Sequence, residues 1–296
     1  MPFMNRSDLY LTDAEDGLLM RESGAWVAEK LDYLRRYLDT FTTAMREKPW
    51  RGLNFIDLFS GPGKCKIRKT QQILLGSPLL ALTLQHSFTR YFFVDKDPAA
   101  IAALKTRCDS SDRATRITYF TGDSNQVVTN IVDEIDAMED RSIEGKWTSL
   151  NLAFLDPEGF ELTWSTVALL GSMNRMDLII YYPQMGINRD MPKDFDKSSP
   201  SKIDAYFGGM EWRDIYKKNH KKEFLHRELI DLYKERLKSL EYVEVEESGN
   251  KPLMRNTRRK APLYRLIFAS KHPLGEKFWS KITKRDVYGQ EKLPTF

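Results

Sequence analysis

The sequence predicts an α/β protein built on a mostly parallel sheet. Two observations carry this. Between residues 53 and 182 short apolar runs alternate with helical patterns, and the last two strand-like runs are joined by a connection with no helical pattern, so they pair antiparallel. The chain of 296 residues is 41% hydrophobic, enough for one large core.

Residues 1–22 show no sustained periodicity and read as a tail ahead of a single domain over 23–296. Val27, Leu31, Leu34, Leu38 and Phe41 then recur at steps of four and three, the stripe of an amphipathic helix over 26–45. The alternation follows: strand 53–59, helix 78–86, strand 91–94, helix 98–106, strand 117–121, helix 125–138, strand 150–155, helix 164–173 and strand 178–182. Residues 184–221, rich in Asp, Lys, Ser, Pro and Gly, break this rhythm. They read as an inserted helical and loop segment, a substrate lid or a partner-binding excursion. A helix over 222–239 leads to strands at 242–246 and 263–269, which bring the sheet to seven, and a helix over 275–284 completes the chain.

Lys and Arg total 46 against 42 Asp and Glu, a balance that permits nucleic acid as a partner without arguing for it. Cys65 and Cys108 are too few for a disulfide framework, and His86, His220, His226 and His272 form no ligand spacing with them. No structural metal is expected, and a reducing cytoplasm is. No run approaches the roughly 20 apolar residues that span a bilayer, and residues 8–16 are too acidic for a signal peptide. The sequence leaves oligomeric state open.

The strongest local signal is Asn54-Phe55-Ile56-Asp57-Leu58-Phe59-Ser60-Gly61-Pro62-Gly63, an apolar strand ending in a turn bracketed by glycines. Glycines there permit positive φ and remove the Cβ atoms that keep a ligand off the backbone. A P-loop would need Gly at Leu58 and Ser or Thr at Cys65, so that reading fails. The dinucleotide fingerprint would need a small residue at Lys66. S-adenosylmethionine carries no phosphate; it needs room near the glycines for its amino acid end and an acid for its ribose. The second strand supplies that acid as Asp95, followed by Lys96 and Asp97. The 38 positions from Asp57 to Asp95 exceed the usual ~20, which residues 64–75 explain as an inserted loop.

Asp123, with Ser124 after it, ends the third strand and is positioned to accept from an adenine amino group. Asp156-Pro157-Glu158-Gly159-Phe160 follows the fourth. Methyltransferases that modify an exocyclic amine carry an acid or amide, two prolines and an aromatic there. This chain has Glu158 in place of the second proline, and its aromatic arrives one place late. Tyr181, Tyr182 and Pro183 add ring faces for a planar acceptor. Plainer readings stand beside these: Asp123 as a helix cap, Asp156 as a turn former, Cys65 as a small buried residue, and the basic runs 217–222 and 255–260 as solvated surface.

With these motifs in view the chain resembles the three-Cys-motif partner family of bacterial proteins. The likeness rests on Lys30, Leu31, Leu34 and Tyr37, the Asp57 to Gly63 run, Leu155-Asp156-Pro157 with Gly159, and Tyr264 to Pro273, within residues 24–285. It implies a Rossmann-like class I methyltransferase fold and a gene neighbour that is a three-cysteine, radical-S-adenosylmethionine-like protein. The expectation is therefore an S-adenosylmethionine-dependent methyltransferase acting on a nucleic acid base or a related planar acceptor. Asp57, Phe59, Ser60, Gly61, Gly63, Asp95, Lys96, Asp123 and Ser124 would bind the cofactor; Asp156, Pro157, Phe160 and Tyr182 would shape the acceptor site. The alternatives are a non-catalytic partner of the radical protein and a small-molecule methyltransferase.

Overall fold

In the computed structural model, which describes residues 10–139, 148–198, 200–219, 222–242, 244–245, 253–255, 262–285 and 290, the chain opens with two short strands. These are β1 (Tyr10–Thr12) and β2 (Leu19–Ser23), antiparallel across a turn in which Gly17 takes φ +70°. Part of the expected tail is therefore a hairpin; residues 1–9 lie outside the described set. Helix α1 (Trp26–Met45) has the expected bounds and buries the expected stripe, with Tyr33 and Tyr37 beside it.

Strand β3 (Gly52–Asp57) is the first of the large sheet. Residues 64–75, expected as a loop, form the hairpin β4 (Lys64–Ile67) and β5 (Ile73–Leu75). β4 lies parallel to β2, so β1-β2-β4-β5 make a separate four-stranded sheet against the glycine turn. The regular alternation follows: α2 (Ser77–Leu82), β6 (Arg90–Asp95), α3 (Pro98–Cys108), β7 (Ile117–Thr121), α4 (Ser124–Met138), β8 (Ser149–Leu155), α5 (Trp164–Ser172) and β9 (Met176–Tyr182). The helix expected over 78–86 stops at Leu82, and Leu84 and Phe88 turn into the core instead.

The excursion is helical: α6 (Gln184–Asp194), α7 (Lys202–Phe207) and α8 (Trp212–Lys218) precede α9 (Lys222–Lys238). Elements of six or seven residues are too short to display an apolar stripe. α7 is instead started by a capping box, Ser201 with Asp204, and Asp204 also accepts from Trp212 Nε1 at 2.7 Å. β10 (Glu244–Val245), β11 (Leu253–Arg255), β12 (Pro262–Ser270) and α10 (Pro273–Thr283) finish the described fold.

The large sheet runs β10-β12-β9-β8-β3-β6-β7, parallel from β9 to β7 and antiparallel where β12 meets β9 and β10. This is the expected mostly parallel sheet with an antiparallel end. β11, read from the sequence as part of a featureless connection, also pairs with β12 and makes an eighth strand.

Side chains alternate between the two faces of this sheet. Ile56, Phe92, Val94, Ala153, Leu178 and Ile180 pack under α4, α5, α7 and α9. Phe55, Tyr91, Phe93, Phe154, Ile179 and Phe268 pack under α1, α2, α3 and α10. Because the strands are buried on both sides, they read as continuous apolar runs in the sequence.

Candidate functional site

The parallel strands all end at one edge, and the glycine turn stands over it. Ser60 joins the ends of β3 and β6: its N–H donates to Val94 O at 2.8 Å, and its hydroxyl donates to Asp57 O at 2.9 Å while accepting from Val94 N–H at 3.0 Å. Gly61, at φ +61°, donates its N–H to Asp95 Oδ2 at 2.8 Å, and a Cβ there would meet nothing within 4 Å. Gly63, at φ +91°, has no such room, since a Cβ would lie 2.8 Å from Leu104 Cδ1. Gly61 thus supplies open approach and Gly63 supplies close packing. Asp95 Oδ1 accepts from Asp97 N–H at 2.8 Å, so this carboxylate is held at both oxygens with a lone pair on each to spare.

The crevice beside the turn has two compartments. One, of about 310 Å³, is bounded by residues 61–63, Trp26, Lys30, Tyr181 and Tyr264. The other, of about 110 Å³, is bounded by Asp95, Lys96, Asp123, Ser124 and Tyr10. Arg21, Phe59, Asp156 and Glu158 belong to both. Lys30 is ion-paired with Asp156 and lies 5.9 Å from the centroid of the Tyr264 ring; Arg21 is ion-paired with Glu158.

Asp57 lies fully buried beneath this crevice. Burial pushes its carboxyl up to about 7, and the nearby Asp156 charge adds to the rise, while the Ser77 hydroxyl, Phe59 N–H and Lys30 oppose it. Among the described residues Asp57 Oδ2 has no hydrogen-bond partner. Burial, reinforced by Asp95, likewise pushes the Tyr10 hydroxyl up to about 12.

The structure thus gathers Phe59, Ser60, Gly61, Gly63, Asp95, Lys96, Asp123, Ser124, Asp156 and Pro157 around one crevice. Asp123 also caps α4, accepting from Asn125 N–H at 2.9 Å. Two expected acceptor residues sit elsewhere. Tyr182 is fully buried on the α9 side, its hydroxyl 2.9 Å from His226 Nδ1, and Tyr181 takes the crevice position. Phe160 packs edge-on against Tyr206 at 5.6 Å, within the inserted helices. Tyr10, Arg21 and Trp26 were not anticipated at the site. Tyr10 and Arg21 arrive with the β1–β2 hairpin, whose loop carries Asp16-Gly17, and Trp26 arrives with the first turn of α1.

A larger cavity of about 510 Å³ lies at the opposite sheet edge, between Trp50, Arg175 and Lys271, and holds none of the expected site residues. Size alone therefore does not locate the chemistry. Among the described residues no group of three or more His, Cys, Asp or Glu is placed to hold a metal, and no helix is long and apolar enough to cross a membrane. Cys65 and Cys108 are free and buried, which pushes both thiols up and leaves them protonated.

No protein-family model matches the chain, and no curated protein matches it. Solved structures with some likeness include a Legionella pneumophila protein of the DUF519 family, at 10% identity over 86% of this chain and 91% of that one, TM-score 0.46. Another is the O-methyltransferase TomG from Streptomyces achromogenes in complex with SAM, at 9% identity over 84% and 91%, TM-score 0.37. A third is described as a putative S-adenosyl-L-methionine-dependent methyltransferase from Methanococcus maripaludis, at 13% identity over 83% and 90%, TM-score 0.34.

Proposed function

We propose that the crevice binds S-adenosylmethionine and that the protein transfers its methyl group to a planar, nitrogen-bearing acceptor. The observation that supports this most directly is the Gly61 N–H bond to Asp95, which joins the bare turn and the ribose-binding acid into one rigid frame. The residues fit the cofactor: the open side of Gly61 faces no protein atom within 4 Å, and Asp95 keeps free lone pairs for two ribose hydroxyls. Asp123 commits Oδ1 to Asn125 and retains Oδ2 for an adenine amino group. Bound cofactor supplies an electrophilic methyl group on a cationic sulfur.

The chain's own part is orientation. Trp26, Tyr181 and Tyr264 offer ring faces to hold a planar acceptor, and Asp156 offers a carboxylate oxygen to an acceptor N–H. With the cofactor held by Gly61 and Asp95, the acceptor nitrogen would be kept in line with the methyl group that the cofactor supplies, and the thioether would be the leaving group. The proton released from nitrogen passes to Asp156 or to water. Lys30 holds Asp156 in place meanwhile.

Among the described residues, the cations that bound the larger compartment are paired: Arg21 with Glu158, Lys30 with Asp156, Lys64 with Asp13 and Asp16, and Arg68 with Glu22. This favours a free planar molecule over a polyanion gripped by its phosphates. Of the basic runs 217–222 and 255–260, Lys217, Lys218 and Arg255 do not bound the crevice, and residues 220–221 and 256–260 lie outside the described set.

Calorimetry with S-adenosylmethionine and its demethylated product tests the site. Asp95→Ala should weaken binding by about 1.5–3 kcal/mol, the range for hydrogen bonds to a charged group. Equal binding by the two proteins would remove the ribose contact. An acceptor methylated only within an oligonucleotide, with a steep salt dependence, would restore the nucleic acid reading.

A further inference from the structure

The Arg21–Glu158 ion pair stands across the junction of the two compartments. Resting on the cofactor reading above, we infer that Glu158 is the counter-ion of the cofactor's cationic sulfur, held in reserve by Arg21 and released when a ligand spans both compartments. Among the described residues, only Arg21, Phe59, Asp156 and Glu158 bound both spaces. A ligand with its amino acid end at residues 61–63 and its ribose on Asp95 must run through that junction, and sulfur is the atom that links those two ends.

Two carboxylates stand there, and their partners differ. Lys30 and Asp156 are 14% and 15% exposed, so their pair is shielded and retained. Arg21 and Glu158 are 33% and 30% exposed; a pair this wet is weak and separates readily. When it separates, the carboxylate stays at the junction. Pro157 is buried on one side of Glu158, and on the other Gly159 N–H donates to Glu161 Oε2 at 2.6 Å. Arg21, on β2, is the partner whose long side chain would swing away, since a guanidinium left beside a sulfonium is repelled.

Glu158 is also the residue that departs from the two-proline pattern of amine methyltransferases. A carboxylate at this position attracts a sulfonium and gains nothing from a neutral thioether. It therefore raises affinity for the methyl donor relative to the demethylated product, and it favours product release after transfer.

The test is calorimetry of wild type, Glu158→Gln and Arg21→Gln with S-adenosylmethionine and S-adenosylhomocysteine, with circular dichroism to establish the native fold of each. Glu158→Gln should weaken the sulfonium compound roughly tenfold, the loss of one charge-assisted contact, and the thioether less than about twofold. Arg21→Gln, which removes the competitor, should leave sulfonium binding unchanged or tighter. Equal effects of Glu158→Gln on both compounds, or none, overturn the counter-ion role while the cofactor reading survives. A loss with Arg21→Gln as large as with Glu158→Gln shows a structural brace and overturns it too. Wild type that binds neither compound overturns the cofactor reading, and this inference with it.

Discussion

The two glycines of the turn do different work. At Gly61 a methyl group meets open space, so Gly61→Ala costs only the left-handed backbone, about 1–2 kcal/mol. At Gly63 the same strain is joined by a Cβ at 2.8 Å from Leu104 and 3.2 Å from Leu79, so Gly63→Ala should cost about 2–4 kcal/mol in urea unfolding. Equal losses at the two sites would remove that distinction. The positions of both glycines in the turn and of Asp95 at its strand end were legible in the sequence, because strand ends and turns are set by neighbouring residues. The choice between Tyr181 and Tyr182 was not. Period-two alternation puts the two rings on opposite faces, but only the packing of α6 to α9 over one face shows that Tyr182 is covered and Tyr181 left at the crevice.

The β1–β2 hairpin and the glycine turn are fastened by one side chain. Arg107, at the end of α3, donates to Pro62 O at 2.6 Å and to both oxygens of Asp16 at 2.8 Å, and it also reaches Leu19 O. Lys64, immediately after the turn, binds Asp13 at 2.7 Å and Asp16 at 3.0 Å. Because the Arg107 side chain is 4% exposed, Arg107→Ala leaves several acceptors without a partner and should destabilise by about 2–4 kcal/mol. Amide exchange should accelerate first in residues 10–23, and Arg107→Lys should not restore it, since an ammonium cannot span the same fork of acceptors. Uniform acceleration across the large sheet would show that Arg107 supports the whole fold instead. Elements with long stripes, such as α1 and α4, were readable as helices with nearly correct ends. The short strands of the second sheet were not, because a run of three to five residues carries too little period and is stabilised only by partners distant in sequence.

Across the molecule, acids oppose one another in their response to pH. Hydrogen bonds from Lys64 hold Asp13 low, those from Arg107 hold Asp16 low, and Arg189 does the same for Asp190. Their stabilisation is present above the unfolded value of about 4 and is lost as pH falls through the native values. Asp57 and Asp177 behave in the opposite sense: burial pushes them up to about 7 and about 6. The folded protein keeps their protons where the unfolded chain has released them, so stability is full below about pH 4 and is lost as pH rises through the native values. These groups together place the maximum near pH 4 to 5, to be read from urea midpoints between pH 3 and 8. Asp57→Asn should flatten the upper limb by up to about 4 kcal/mol. A wild-type curve that rises from pH 4 to 7 would show that Asp57 is ionised in the fold.

The order of strands and helices, the antiparallel end of the sheet and the glycine turn all follow from local pattern, since periodicity and glycine placement are properties of neighbouring residues. The covering of the crevice does not. Arg21 meets Glu158 and Lys30 meets Asp156 across more than a hundred residues of chain, and charge pairing at that range leaves no trace in composition or spacing. It exists because the second sheet and α1 close over the ends of the parallel strands, and folding alone brings those surfaces together.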